Sequence, residues 1–107
     1  MPNLTEDITQ TYLKAKDSEG VNSFRWLDLA AAKANRGGRD GITAFLRCVL
    51  TIDIAPELAR RRDSLVLMLM KTHGVNFIHA SLRMKDELKP KLNTYIQKIK
   101  AEIKAKK

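Results

Sequence analysis

Apolar residues recur every three or four positions along most of this chain, and that spacing predicts helices rather than strands. Ile8, Tyr12 and Leu13 mark one face of a first helix reaching about Lys16, with Asn3 as its cap and Glu6 three residues on. Asp17, Ser18, Glu19 and Gly20 read as a turn. Ser23 can then cap a second helix over residues 24–34, where Phe24, Leu27, Ala31 and Ala34 share a face and three consecutive alanines permit a close neighbour. The glycine-rich stretch 35–41 ends that helix as a connection.

A third helix is predicted over residues 42–52 on Phe45, Leu46, Val49, Leu50 and Ile52. After a break at 53–55, Pro56 suits the first turn of a fourth helix running to about Thr72. Its residues 65–70 are apolar on every side, so its second half is expected at the centre of the bundle. No other segment alternates with period two to pair with that run as a strand. His73 and Gly74 read as a helix end, and Asn76 can cap a short fifth helix over 77–83. Leu88, Leu92, Tyr95, Ile96, Ile99 and Ile103 form the stripe of a last helix, which begins between Asp86 and Lys89 because Pro90 belongs in its first turn. The expectation is an all-α fold, a compact irregular bundle of five or six helices. Residues 1–107 form a single domain on this reading, with a Lys-rich end at 97–107.

Composition agrees. The chain is 44% hydrophobic and 30% charged, as in globular domains, and only 6% aromatic, which leaves Leu, Ile, Ala and Met to build a helical core. The single cysteine, Cys48, lies in an apolar-periodic stretch and reads as a small buried hydrophobe; with no second thiol, an intracellular home is expected. Residues 1–16 hold four charges and no apolar run, so no signal peptide is read there. The longest apolar run, 65–70, is far short of the roughly 20 residues of a membrane span, so no membrane partner is expected.

Charge sharpens the picture. The net charge is +8, and residues 83–107 alone hold nine basic and three acidic side chains. Such asymmetry suits either an acidic partner or a well-solvated helix face. Arg60, Arg61 and Arg62 span most of a helical turn, so they cannot all face the core. With Lys98, Lys100, Lys104, Lys106 and Lys107 they could neutralise phosphates without reading bases, which makes a small nucleic-acid-binding protein the alternative reading.

Chemistry is thin. His73 and His79 are six apart, a spacing that does not put them on one face as a metal-binding pair. No Cys cluster, EF-hand, HExxH, P-loop or GxSxG occurs, and residues 37–41 follow a helix and lack the Gly-Lys-Ser/Thr ending of a phosphate loop. The expectation is no enzyme, no metal and no cofactor.

One resemblance adds to this reading. The strings Ala44-Phe45-Leu46-Arg47-Cys48-Val49-Leu50-Thr51-Ile52, Lys71-Thr72-His73-Gly74-Val75-Asn76-Phe77-Ile78, and Asp86-Glu87-Leu88 leading into Tyr95-Ile96-Gln97-Lys98-Ile99 follow one another in a characteristic order. This order resembles the TFIIS N-terminal domain superfamily, and within it the integrase-binding domain family, over a little more than half of the chain. The resemblance implies a monomeric, non-catalytic, nuclear protein-recognition module in transcription or chromatin. Such modules capture short, acidic, disordered peptide motifs at inter-helix loops on one end of the bundle. On this sequence those loops are residues 35–40 and 73–76, which puts Arg36, Arg39, Asp40, His73, Val75 and Phe77 forward as partner-binding residues. The glycine-rich first loop departs from the family's usual one. A third reading, a subunit whose apolar surface completes a larger assembly, follows from the length of the 65–70 run.

Overall fold

The Asn3 side chain accepts the Glu6 amide N–H at 2.8 Å and closes the first turn of α1 (Leu4–Asp17), as the sequence suggested. The computed structural model describes residues 3–105, with side chains through Glu102; the side chain of Lys104 and all of Lys106 and Lys107 lie outside the described residues. Five further helices follow among the described residues: α2 (Val21–Arg36), α3 (Gly38–Thr51), α4 (Pro56–Thr72), α5 (Gly74–Leu82) and α6 (Lys89–Ala105). The all-α bundle is therefore a six-helix one, and no strand occurs among the described residues.

Three boundaries differ from the sequence reading, each for a local reason. α2 begins at Val21 rather than after Ser23. The Ser23 hydroxyl does not cap it but donates back to the Ser18 carbonyl at 2.6 Å, tying the turn to the helix. The 35–40 stretch is not a loop: α2 runs to Arg36, Gly37 alone separates the helices, and Arg39 and Asp40 sit in the first turn of α3. Gly38 makes so short a corner possible with φ +60°, a conformation that costs a residue with a Cβ but not glycine. Likewise only His73 separates α4 from α5, so Asn76 lies inside α5 instead of capping it.

The centre of the bundle also moves. α3, not the second half of α4, packs against all five other helices. Its Ile42, Ala44, Phe45, Leu46, Cys48 and Val49 are buried, whereas Met68 in the apolar run of α4 is 42% exposed. Small residues decide this. Ala30, Ala31 and Ala34 of α2 are fully buried, and a Cβ on Gly41 would stand 2.5 Å from the Ala34 carbonyl oxygen and 2.9 Å from its Cα. The backbones meet there with no side chain between them. Against α3 from the other side, Tyr12 of α1 meets Phe45 edge to face at 5.8 Å, an arrangement worth about 0.5–1.5 kcal/mol beyond the area buried.

Polar contacts set the outer helices. Lys33 of α2 donates to Asp7 at 2.8 Å and to Thr11 at 3.2 Å on α1. Arg61 of α4 grips Asp28 of α2 with both arms of its fork, each at 2.8 Å. Leu88, just before α6, and Leu92 and Ile99 on it enter the core, and Ile103 of the expected stripe lies outside the described side chains. The Cα radius of gyration, 13.0 Å, is that of a folded chain of roughly a hundred residues.

The corner between α2 and α3 makes one prediction. Gly41→Ala pushes a methyl group into backbone and is expected to destabilise by about 1–3 kcal/mol in urea unfolding. Gly74→Ala meets nothing within 4 Å at ordinary backbone angles, and is expected to be neutral or to stabilise by about 0.4–1 kcal/mol. Equal effects from the two substitutions would refute the close-approach account.

Candidate functional site

α5 is short, and both of its ends are tied to the same corner. At its start, His73 hydrogen-bonds through Nε2 to the Asn35 side-chain oxygen at the end of α2. Past its last residue, Arg83 donates to Asp40 in the first turn of α3 at 2.6 Å. The two junctions picked out in the sequence are thus brought together, although neither is a loop. The Arg83–Asp40 side chains are 55% and 71% exposed, so the pair contributes little to stability and fixes orientation more than energy.

Between those ties, α5 buries Phe77 and Ala80 against the bundle and turns a different face outward. Val75, Ile78 and Leu82 are 69%, 61% and 66% exposed. Their spacing of three and then four places them on one face, two turns long. Seven large apolar side chains are exposed among the described residues, and three of them stand on this nine-residue helix. Scattered exposed apolar residues need no explanation; a contiguous stripe does.

The charge around the stripe is mostly positive. From Lys71 to Lys85 the chain contains Lys71, Arg83 and Lys85 and no acidic residue. Arg36 ends α2 and Arg39 lies in the first turn of α3, both exposed. Among the described residues, Arg36, Arg39, Lys71 and Lys85 make no ion pair. At the corner Asp40 is taken by Arg83, and just beyond Lys85 stand the exposed Asp86, paired with Lys89 at 3.3 Å, and Glu87.

Each residue named from the sequence can now be placed. Arg36, Arg39 and Asp40 are exposed at the corner, Val75 is on the stripe, and His73 is half-buried in its bond to Asn35. Phe77 is a correction: at 5% exposure its ring belongs to the core and is not presented to a partner. Ile78, Leu82, Lys71 and Arg83 were not singled out, although the 75-78-82 spacing within an apolar segment was the available signal.

The arginine triplet is largely committed internally. Arg61 holds Asp28, and Arg62 pairs with Asp63 at 3.0 Å while its guanidinium lies 5.2 Å from the Tyr95 ring centre. Arg60 is exposed and makes no ion pair among the described residues. With the exposed Lys98 it borders a groove of about 710 Å³ between α4 and α6, whose lining also includes Asp63 and Glu102 and is therefore mixed in charge. Lys100 is exposed on α6, and Lys104 lies outside the described side chains. A second cleft, of about 530 Å³, opens between α1 and α3 beside Arg83 and is likewise mixed, with Asp40 facing Arg47 and Arg83.

Behind the groove lies a half-buried polar cluster. Tyr95 donates its hydroxyl to Asp63, which also receives Arg62 Nε at 3.0 Å, so one carboxylate joins α4 to α6. The Tyr12 hydroxyl is buried near Arg62 and completes no hydrogen bond. Burial pushes Tyr12 up to about 12, against the pull of the Arg62 cation. Burial, joined by the hydrogen bond to Asp63, raises Tyr95 further. Burial also raises the Cys48 thiol. Among the described residues no three His, Cys, Asp or Glu side chains come together as a metal site, and no helix is long and apolar enough to cross a membrane.

Comparison with known proteins returns no match, whether to a family model, a curated protein or a solved structure.

The buried tyrosines predict alkaline sensitivity. Between pH 10 and 12 an unfolded tyrosine ionises while folded Tyr12 stays neutral, so the unfolded state sheds protons first and stability falls as pH rises. The loss approaches about 1.4 kcal/mol per pH unit per tyrosine, and Tyr95 and Cys48 act with the same sign. Urea midpoints measured from pH 8 to 11 should begin to fall near about pH 9, where an unfolded cysteine ionises, and fall more steeply above about pH 10, and Tyr12→Phe should lessen the steeper part. A flat profile in the wild-type protein would overturn this reading of the cluster.

Proposed function

We propose that this chain is a non-catalytic helical protein-interaction module, binding short, acidic, disordered peptide motifs where α5 meets the α2–α3 corner. The observation that carries the reading is the α5 stripe, three exposed apolar side chains on a helix whose neighbourhood includes Arg36, Arg39, Lys71 and Lys85, cations that make no ion pair among the described residues. An apolar stripe supplies contact area, and unpaired arginines and lysines around it steer and select an acidic chain. Exposed Arg36 and Arg39 form the part of the rim nearest the Asn35–His73 tie, and arginine's planar fork suits carboxylates. The resemblance of the sequence to TFIIS N-terminal domains supports placing such a module in transcription or chromatin, and so in the nucleus.

Nucleic-acid binding draws less support, since two of the three clustered arginines are engaged with Asp28 and Asp63. The test sets the readings against each other. A 15-residue peptide of Asp and Glu around one Phe and two Leu is titrated into the ¹⁵N-labelled protein, and a short DNA duplex is titrated in parallel across a salt series. Peptide-induced shifts should centre on residues 36–40 and 73–85, and Arg36→Glu with Arg39→Glu should weaken binding at least about tenfold while the fold survives. Salt-sensitive DNA binding that vanishes in a chain ending before Lys98, with no peptide shifts, would instead establish the nucleic-acid reading.

A further inference from the structure

The α5 stripe says more than that an acidic peptide binds; its geometry constrains the shape of what covers it. We infer that the occupant is an acidic amphipathic helix of about two to three turns, contributed by another protein and folding on this surface. The inference rests on the peptide-binding reading and adds the bound conformation.

Three features of the surface carry it. First, Val75, Ile78 and Leu82 lie three and then four residues apart, so the stripe follows the α5 axis for about 10 Å at 1.5 Å per residue. A partner helix with apolar residues at positions i, i+3 or i+4, and i+7 presents a stripe of the same length, and two such stripes pack as ridges into grooves. Second, the described residues contain no strand, so no sheet edge is there to accept an extended peptide through its backbone. An extended chain on a helix surface would leave its amides without protein partners, whereas a helix satisfies its own. Third, the cations flank both ends of the stripe. Lys71 and Arg36 lie toward the start of α5, where His73 meets Asn35; Arg39, Arg83 and Lys85 lie toward its end, where Arg83 meets Asp40. Asp40, Asp86 and Glu87 offset the cations at that end, so a partner helix would carry its acids chiefly where it meets Lys71 and Arg36.

The same charges argue against a second copy of this chain as the occupant. A twofold contact through α5 would set Lys71 of each copy against Arg83 and Lys85 of the other, an excess of positive charge that Asp86 and Glu87 offset only in part. Like charges in juxtaposition oppose such a contact, and an acidic partner removes the conflict.

The experiment compares two peptides of identical Asp, Glu, Leu and Phe composition, read by ¹⁵N shifts and by the ellipticity of the complex. One is locked as a helix by a side-chain lactam; the other carries a central proline. The lactam peptide should bind at least tenfold more tightly. Ile78→Ala with Leu82→Ala should weaken it by a further tenfold or more while leaving thermal stability nearly unchanged, since both side chains are already exposed. Equal affinity for the two peptides would overturn the helical occupant and leave the peptide-binding function standing. Failure of both peptides and of the flexible 15-residue peptide would overturn the function as well. Concentration-dependent dimerisation by sedimentation, with shifts confined to Val75, Ile78 and Leu82, would replace the acidic helix with a second copy.

Discussion

The meeting of Gly41 with the Ala34 backbone is the constraint on which the remaining architecture depends. It lets α3 lie against α2 with no side chain between them, and the one-residue corner at Gly37 follows from that closeness. Once α3 is seated there, it can touch every other helix and take the central place in the bundle. α1 closes over it through Tyr12 and Phe45. α5, bracketed by the Asn35–His73 bond and the Arg83–Asp40 pair, is held against the corner.

That seating has a functional consequence. A nine-residue helix is too short to be stable alone, so α5 exists because Phe77 and Ala80 anchor it and its ends are tied. Such a helix gives one face to the core and leaves the other free, and here the free face is apolar. The molecule thereby displays a rigid, preformed stripe, with cations arriving from α2, α3 and the ends of α5 itself. Elsewhere some charges serve the fold: Arg61 braces α2 against α4, and the Arg62–Asp63–Tyr95 cluster braces α4 against α6.

The fold was legible where spacing is a local property. Asn3 caps α1, Pro56 opens α4, and Leu92 and Ile99 face inward on α6 with Leu88 buried just before it. The site was legible only in part. Residues 35–40 and 73–76 were singled out as neighbours on one end of the bundle, and the structure joins them. Phe77 failed as a surface anchor because a short helix must bury its largest ring to be held at all. The engagement of Arg61 was hidden because its partner Asp28 lies more than thirty residues away in sequence, beyond the reach of any local pattern.

By itself, the sequence determined the helical class, the helix count to within one, and an uneven positive charge. Those follow from propensity, periodicity and composition, all of which act over a few residues. Only the tertiary structure decided which helix is central, which cations keep free hands, and which apolar residues stay outside. Apolar character alone cannot make those choices: residues 65–70 and the 75-78-82 stripe are equally hydrophobic, yet one is partly buried and the other exposed. The difference lies in backbone approach. Glycine and alanine at the α2–α3 contact draw α3 to the centre, and once the core is full, the outer face of α5 has nothing left to pack against.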